Sequence, residues 1–264
     1  MISSAQRPLN SLGAEGLLQE DFAANSTGYG KSLKTLDQIA EEIRAHNGCG
    51  FEPCEQATNL VPGEGNPQAD VMFIGEAPGK NEDLQGRPFV GAAGKLLDEL
   101  IASIGMQRED VFIGNVLKGR PPGNRDPKPE EIDHSWPWLR DQIAVIQPKL
   151  IVLLGRHAMD WFLPDLKISV EHGRAKRFRG QTYLPVYHPA AALYTGSLRQ
   201  TLFDDFAQVP QLLKKIDKLP KEKAEIEPVF KLKIRKALAQ NAGKEDGATA
   251  PESTKNTTNQ ESLL

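Results

Sequence analysis

The sequence predicts an α/β fold: a three-layer α/β/α sandwich around a central four-stranded parallel sheet. Two observations predict it. Four short runs, at 71–74, 111–115, 150–154 and 182–186, are apolar along nearly their whole length, the pattern of strands covered on both faces. Stretches of helical character separate successive runs, and that alternation is the signature of parallel strands joined by crossovers.

The elements follow in order. Residues 1–30 are polar and aperiodic and are expected to form a flexible N-terminal arm. Residues 32–45 place Leu33, Leu36, Ile39, Ala40 and Ile43 on one helical face. Residues 47–67 are rich in Gly and Pro and predict a surface loop. Helices are expected at 93–104, 129–146, 157–162 and 197–216. Pro129 near the start of the second, with Glu130 and Glu131 in its first turn, suits a helix amino terminus. Ser197 is a candidate N-cap for the last. The compact domain is therefore assigned to 31–219. Residues 220–264 form a charged tail, with a helix conceivable at 221–240 and a Thr/Asn/Gly/Glu-rich remainder expected to be disordered.

Composition excludes several classes. The chain has 264 residues, 39% hydrophobic content and a net charge of -3, so global basicity does not advertise a polyanionic partner. Local charge does. Lys118, Arg120, Arg125 and Lys128 face only Asp126 between 115 and 128, and Arg174, Lys176, Arg177 and Arg179 have no acid among them between 173 and 180. Two basic loops beside one cleft would suit a phosphate-bearing ligand, although each run alone fits a solvated loop. Two cysteines, Cys49 and Cys54, exclude a disulfide-dense scaffold and suit a reducing compartment. No apolar stretch approaches the ~20 residues that span a bilayer, and the first ten residues lack a signal peptide's pattern. A cytoplasmic monomer, without membrane association, is the expectation.

In a parallel α/β sheet the ligand sits outside the carboxyl ends of the strands. Gly75, Asn115, Gly155 and His188 all fall at that edge. The segment Gly75-Glu76-Ala77-Pro78-Gly79 can bring bare backbone N–H groups to a ligand, and it is not a P-loop, because the Gly-Lys-Ser/Thr ending is missing. Glu76, Glu82 and Asp83 crowd the same loop. Phe89 is either a core plug or a stacking surface for a planar base. Asn115 offers a coplanar donor and acceptor, which matches N3–H and O4 of uracil, or else serves as a turn residue. His188 is a candidate donor to a developing oxyanion, or a core histidine. His46, His134, His157 and His172 share no strand end and show no metal-ligand spacing with the cysteines, so no metal site is assigned.

Several stretches, each weak alone, together resemble the uracil-DNA glycosylase superfamily, and its family 4 branch most closely. They are Gly63-Glu64-Gly65-Asn66-Pro67, Gly75 to Gly79, Glu82 to Gly91, Asn115 to Arg125 and His188-Pro189-Ala190-Ala191. The resemblance covers about residues 60 to 212. It implies a monofunctional DNA repair glycosylase acting on uracil-containing DNA, single- or double-stranded, in base excision repair. By that resemblance Phe89 stacks on a flipped uracil, Asn115 reads its edge, Gly75, Glu76 and Ala77 hold ring carbonyls through the backbone, and His188 stabilises charge on O2. The superfamily's best-known branch has an Asp at the position of Ala77. Glu76, Glu82 and Asn124 are the unranked candidates for orienting water. Lys118, Arg120 and the 174–179 loop would touch phosphates, and the 188–193 segment, with Pro189, Ala190 and Ala191, would enter the minor groove and fill the vacated stack.

Family 4 enzymes typically carry a 4Fe–4S cluster on four cysteines. Gly119 and Ser135 stand at two of those positions, so the cluster, and any cofactor, is expected to be absent, with Trp136, Pro137 and Trp138 supplying apolar contacts there. Zinc on the cysteine pair with His46 and His134 is the weaker alternative. Two other functions remain open: a non-catalytic relative that binds uracil or abasic DNA, and an unrelated phosphohydrolase.

Overall fold

The computed structural model describes residues 34–220. The expected arm at 1–30 and nearly all of the tail at 220–264, including its conceivable helix, lie outside those residues. The order of elements is α1 (Leu36–Ala45), α2 (Glu52–Glu55), β1 (Glu64–Gly65), β2 (Val71–Gly75), α3 (Lys80–Gln85), α4 (Ala92–Ser103), β3 (Phe112–Asn115), α5 (Pro129–Ile146), β4 (Leu150–Leu154), α6 (Arg156–Phe162), α7 (Ile168–Glu171), β5 (Lys176–Phe178), β6 (Gln181–Val186), α8 (Pro189–Ala192), α9 (Gly196–Phe206) and α10 (Val209–Ile216).

The four expected strands form the parallel centre, in the order β3-β2-β4-β6. Two short strands, β1 and β5, extend it antiparallel at either margin, so the sheet is mixed and has six strands. Strand alternation builds the three layers. Val71 and Phe73 point to one face with Ile113, Val152 and Leu184, where Leu96, Leu97 and Leu100 of α4 and Phe206 of α9 cover them. Met72 and Ile74 point to the other with Ile151 and Leu153, under Trp136, Leu139 and Ile143 of α5 and Trp161 and Phe162 of α6. A third cluster ties α1 to α5 through Ile39, Ile43, Cys54, Leu60 and Trp138.

Some expectations are corrected. The helix expected at 197–216 is two helices, α9 and α10, because Pro210 lacks the N–H that continuity would need. Its N-cap is Thr195, not Ser197, which lies inside the first turn. The loop at 47–67 contains α2 and β1, and α3 lies in the stretch after the first strand, closed by Gly86 in the left-handed region (φ 67). Start signals at α5 hold: Glu131 accepts from the backbone N–H of Lys128 at 2.9 Å. At α1, Thr35 and Gln38 form a capping box.

The 174–179 run is not a loop beside the cleft. Its centre is β5, and the pairing of Phe178 with Gln181 puts the Arg179–Gly180 turn at the amino-terminal end of β6, the sheet edge opposite His188. Lys176 is held by Glu171 at 2.6 Å.

Leu100 is fully buried between sheet and α9. Leu100→Ala should lower unfolding free energy by about 2–5 kcal/mol in urea titrations; a smaller loss would mean that this layer collapses around the gap.

Candidate active site

A cavity of about 380 Å³ opens at the carboxyl edge of the sheet, near the lower end of the roughly 300–1,000 Å³ typical of small-ligand sites. Glu76, Glu82, Phe89, Asn115, Asn124, His188 and Ala190 line it, with Ala77 and Arg125. The amide, the imidazole and the aromatic ring singled out in the sequence therefore meet around one space.

Asn115 ends β3. It is 2% exposed, and its side-chain oxygen is buried with no hydrogen-bond donor. The amide fits there because Gly75, its neighbour on β2, has no side chain: a Cβ on Gly75 would lie 2.5 Å from Asn115 Oδ1 and 2.6 Å from Phe89 Cζ. Gly75 does not line the cavity; it makes room for the two groups that do.

Lys118 corrects the sequence reading. It is 0% exposed and cannot reach a phosphate. Its Nζ donates to the Asn115 carbonyl at 3.0 Å, to Gln142 Oε1 at 2.8 Å and to the Pro62 carbonyl at 3.4 Å. Burial pulls its pKa down to about 7. Three acceptors match the three protons of an ammonium, which opposes that pull. Lys118 thus anchors the backbone of Asn115 from below. Arg120 is only partly buried and donates to Asn124 Oδ1 at 2.8 Å, so it stands at the rim.

Phe89 has φ 50, a conformation that costs a non-glycine residue about 1–3 kcal/mol. Charged groups hold it from both sides. Glu82 Oε1 accepts from the N–H groups of Val90 and Gly91, each at 2.8 Å. Arg108 donates to the carbonyls of Pro88 and Phe89 and is itself fixed by Glu64 and Asp98 at 2.9 Å. Arg108 gave no signal in the sequence, since it lies 19 residues from Phe89.

His188 follows β6 and caps α8. Its Nδ1 accepts the Ala190 N–H at 3.1 Å, which leaves the proton of a neutral ring on Nε2. Burial, opposed by Glu82 and assisted by His157, lowers its pKa to about 4. Its ring lies 5.7 Å from that of Phe89 at 26°. Gly155 does not line the cavity; a Cβ there would meet His188 Cβ at 2.9 Å. Pro189 is buried and Ala191 exposed, and of the three following residues only Ala190 lines the cavity.

Glu76 faces the cavity with its carboxyl pKa raised by burial, His157 and Arg156 opposing and Asp126 adding. His157 Nε2 stands 3.8 Å from Glu76 and 3.4 Å from Asp126. His157 therefore does sit at the common strand edge, contrary to its sequence assignment, because α6 starts directly at the end of β4. Arg125, also unassigned as a lining residue, bridges Glu52 at 2.8 Å and Glu131 at 2.5 Å.

The donor set does not fit a four-cysteine cluster. The chain has two cysteines. A Cβ at Gly119 would lie 1.8 Å from the Pro53 carbonyl oxygen, so the backbone of α2 fills the space a thiolate would need. Ser135 is buried. Trp138 faces this region, whereas Trp136 packs against the sheet with Trp161 and Phe162. The structure instead brings His46, Cys49, Cys54 and His134 together, against the sequence reading of the histidines.

This fold, with a carboxamide and a neutral imidazole at one strand edge, is that of a base-excising glycosylase, and residues 62–211 match the family model for the uracil DNA glycosylase superfamily. The chain belongs to that superfamily. Within it, the chain is 45% identical over 192 residues to a type-4 uracil-DNA glycosylase of Sulfurisphaera tokodaii, covering 68% of this chain and 86% of the relative. Relatives of the same description from Archaeoglobus fulgidus and Saccharolobus solfataricus are each 45% identical, covering 68% and 69% of this chain and 94% and 88% of their own lengths. No helix among the described residues is long and apolar enough to cross a membrane.

In a histidine-resolved NMR titration, His188 should stay neutral until pH falls to about 4. The unfolded chain takes up that proton near 6.5, so His188's contribution to stability is full above about 6.5 and is lost as pH falls toward 4. A midpoint near 6.5 in the folded protein would remove the locked neutral donor.

Proposed function

We propose that the protein is a monofunctional uracil-DNA glycosylase of the type-4 kind, which hydrolyses the N-glycosidic bond of a uracil flipped out of DNA and leaves an abasic site. The observation that carries the reading is that Asn115, whose side-chain oxygen is buried without a donor, and His188 line the same cavity. Uracil supplies the missing donor from N3–H, while the amide nitrogen donates to O4. Cytosine offers the reverse pattern and would leave both groups opposed, a mismatch of the kind that gives strong discrimination.

Phe89 stacks on the flipped ring. As the C1′–N1 bond breaks, its electron pair leaves with uracil, and the resulting anion gains charge at O2, where neutral Nε2–H of His188 donates. Water attacks C1′ and releases its proton to the acceptor that orients it. Glu76 is the first choice for that acceptor, because Glu82 Oε1 is already taken by two backbone N–H groups and Asn124 Oδ1 by Arg120. The anion held by fixed donors supplies much of the driving force, which is how a methyl group at Ala77 can be tolerated. Arg120, beside Asn124 of the cavity lining, is a cation available to a phosphate. After α8, Leu193 at 39% and Tyr194 at 90% exposure present an apolar tip beside the cavity, suited to filling the stack that uracil vacates.

The test is a uracil-containing oligonucleotide, without added divalent metal, followed by alkaline cleavage. Uracil-dependent nicks are expected; retarded DNA without nicks would instead indicate a non-catalytic binder. Asn115→Asp should lower excision by roughly a hundredfold or more, since a buried carboxylate cannot donate to O4. His188→Ala should lower the chemical step by about 10²–10³-fold with a smaller effect on DNA affinity; equal losses in both would make it a positioning residue.

A further inference from the structure

We infer that His46, Cys49, Cys54 and His134 form a mononuclear zinc site, which fastens the amino-terminal helices to the wall behind the uracil pocket.

Geometry carries the inference. The four donor atoms all lie within 4.8 Å of one another. His46 and His134, 88 residues apart in sequence, turn their Nε2 atoms toward each other at 2.9 Å. A tetrahedral zinc with bonds of about 2.3 Å to sulfur and 2.0–2.1 Å to nitrogen sets its donors roughly 3.3–3.8 Å apart, so the two rings need to part by only a few tenths of an ångström. Cys49 sits between Gly48 and Gly50, both in the left-handed region (φ 68 and 78), and Cys54 is buried on α2. Aromatic neighbours fix the imidazoles: the Phe51 ring stacks on His134 at 4.7 Å, and Trp138 meets His46 edge-on at 4.7 Å.

Chemistry selects the metal. Two thiolates and two imidazoles in one compact set suit zinc. A two-iron cluster would put the histidines on one iron and the cysteines on the other, further apart than this set allows. A four-iron cluster needs thiolates the chain lacks, and Pro53 blocks the position where one would enter at Gly119. Zinc expels the two thiol protons to solvent and changes no oxidation state.

The site lies behind the chemistry. Pro53 O abuts Gly119, and Arg125 joins Glu52 of α2 to Glu131 of α5, three residues before His134. A metal clamping α2 to α5 therefore supports residues 119–125, which carry Pro121, Asn124 and Arg125 to the cavity.

The test is elemental and sulfide analysis of the full chain, free of any histidine tag, from cells supplied with both zinc and iron. About one zinc per chain and no sulfide are expected. Cobalt exchange should give the intense ligand-field bands of a tetrahedral thiolate site. His46→Gln and His134→Gln spare the buried thiol, so they remain informative even where Cys54→Ser fails to fold. Each should lower zinc content about tenfold or more, while His172→Gln should not. Iron with or without sulfide, a metal-free wild-type chain, or zinc retained by both histidine variants would each overturn the assignment.

Discussion

A buried carboxamide with an empty acceptor is the constraint around which this protein is built. An unpaired polar atom in an interior costs roughly 1–3 kcal/mol, and an asparagine so placed would ordinarily rotate, draw in water or drag its strand out of register. Here β3 cannot move, because Lys118 grips the Asn115 carbonyl from inside while Gln142 of α5 grips Lys118. The amide fits where it does because the glycine beside it has no side chain: a Cβ there would lie 2.5 Å from Asn115 Oδ1. The cost is carried by the hydrophobic layers on both sheet faces, and under the function proposed above a complementary base edge would relieve it.

The same division of labour governs the aromatic ring that lines the cavity. Phe89 holds an unfavourable backbone conformation because an anion grips the two peptides after it and a cation grips the carbonyl before it and its own. Glu82 Oε1 and Arg108 are thereby engaged in holding this loop. His188 is treated alike: one backbone N–H decides which of its nitrogens carries hydrogen. Charged and polar side chains around this cavity mostly position other groups.

The sheet and its carboxyl edge are legible in sequence, since apolar runs alternating with helices dictate where strand ends fall, and Asn115 and His188 come with them; Phe89 is read from the long loop after the first strand. What was not legible depends on partners distant in the chain. Lys118 reads as a surface cation in its basic run, and only the arrival of Gln142 and Pro62 turns it inward. Arg108 is ordinary until the fold brings it under Phe89. His46 and His134 have no common spacing with the cysteines, and the closing of α1 on α5 is what unites them. The break between α9 and α10, by contrast, was visible in Pro210. The 174–179 charges misled because the hairpin's direction, which sends its tip away from the pocket, is not a property of composition.

The margins of the sheet have a consequence of their own. Each is finished by a strand of two or three residues running against its neighbour, and β5 carries Lys176 and Arg177. A ladder that short offers too few free amides and carbonyls for a neighbouring molecule to zip onto. The long parallel ribbon at the centre is thus sealed against edge-to-edge growth, which lets a strongly apolar sheet exist in a crowded solution without seeding aggregates.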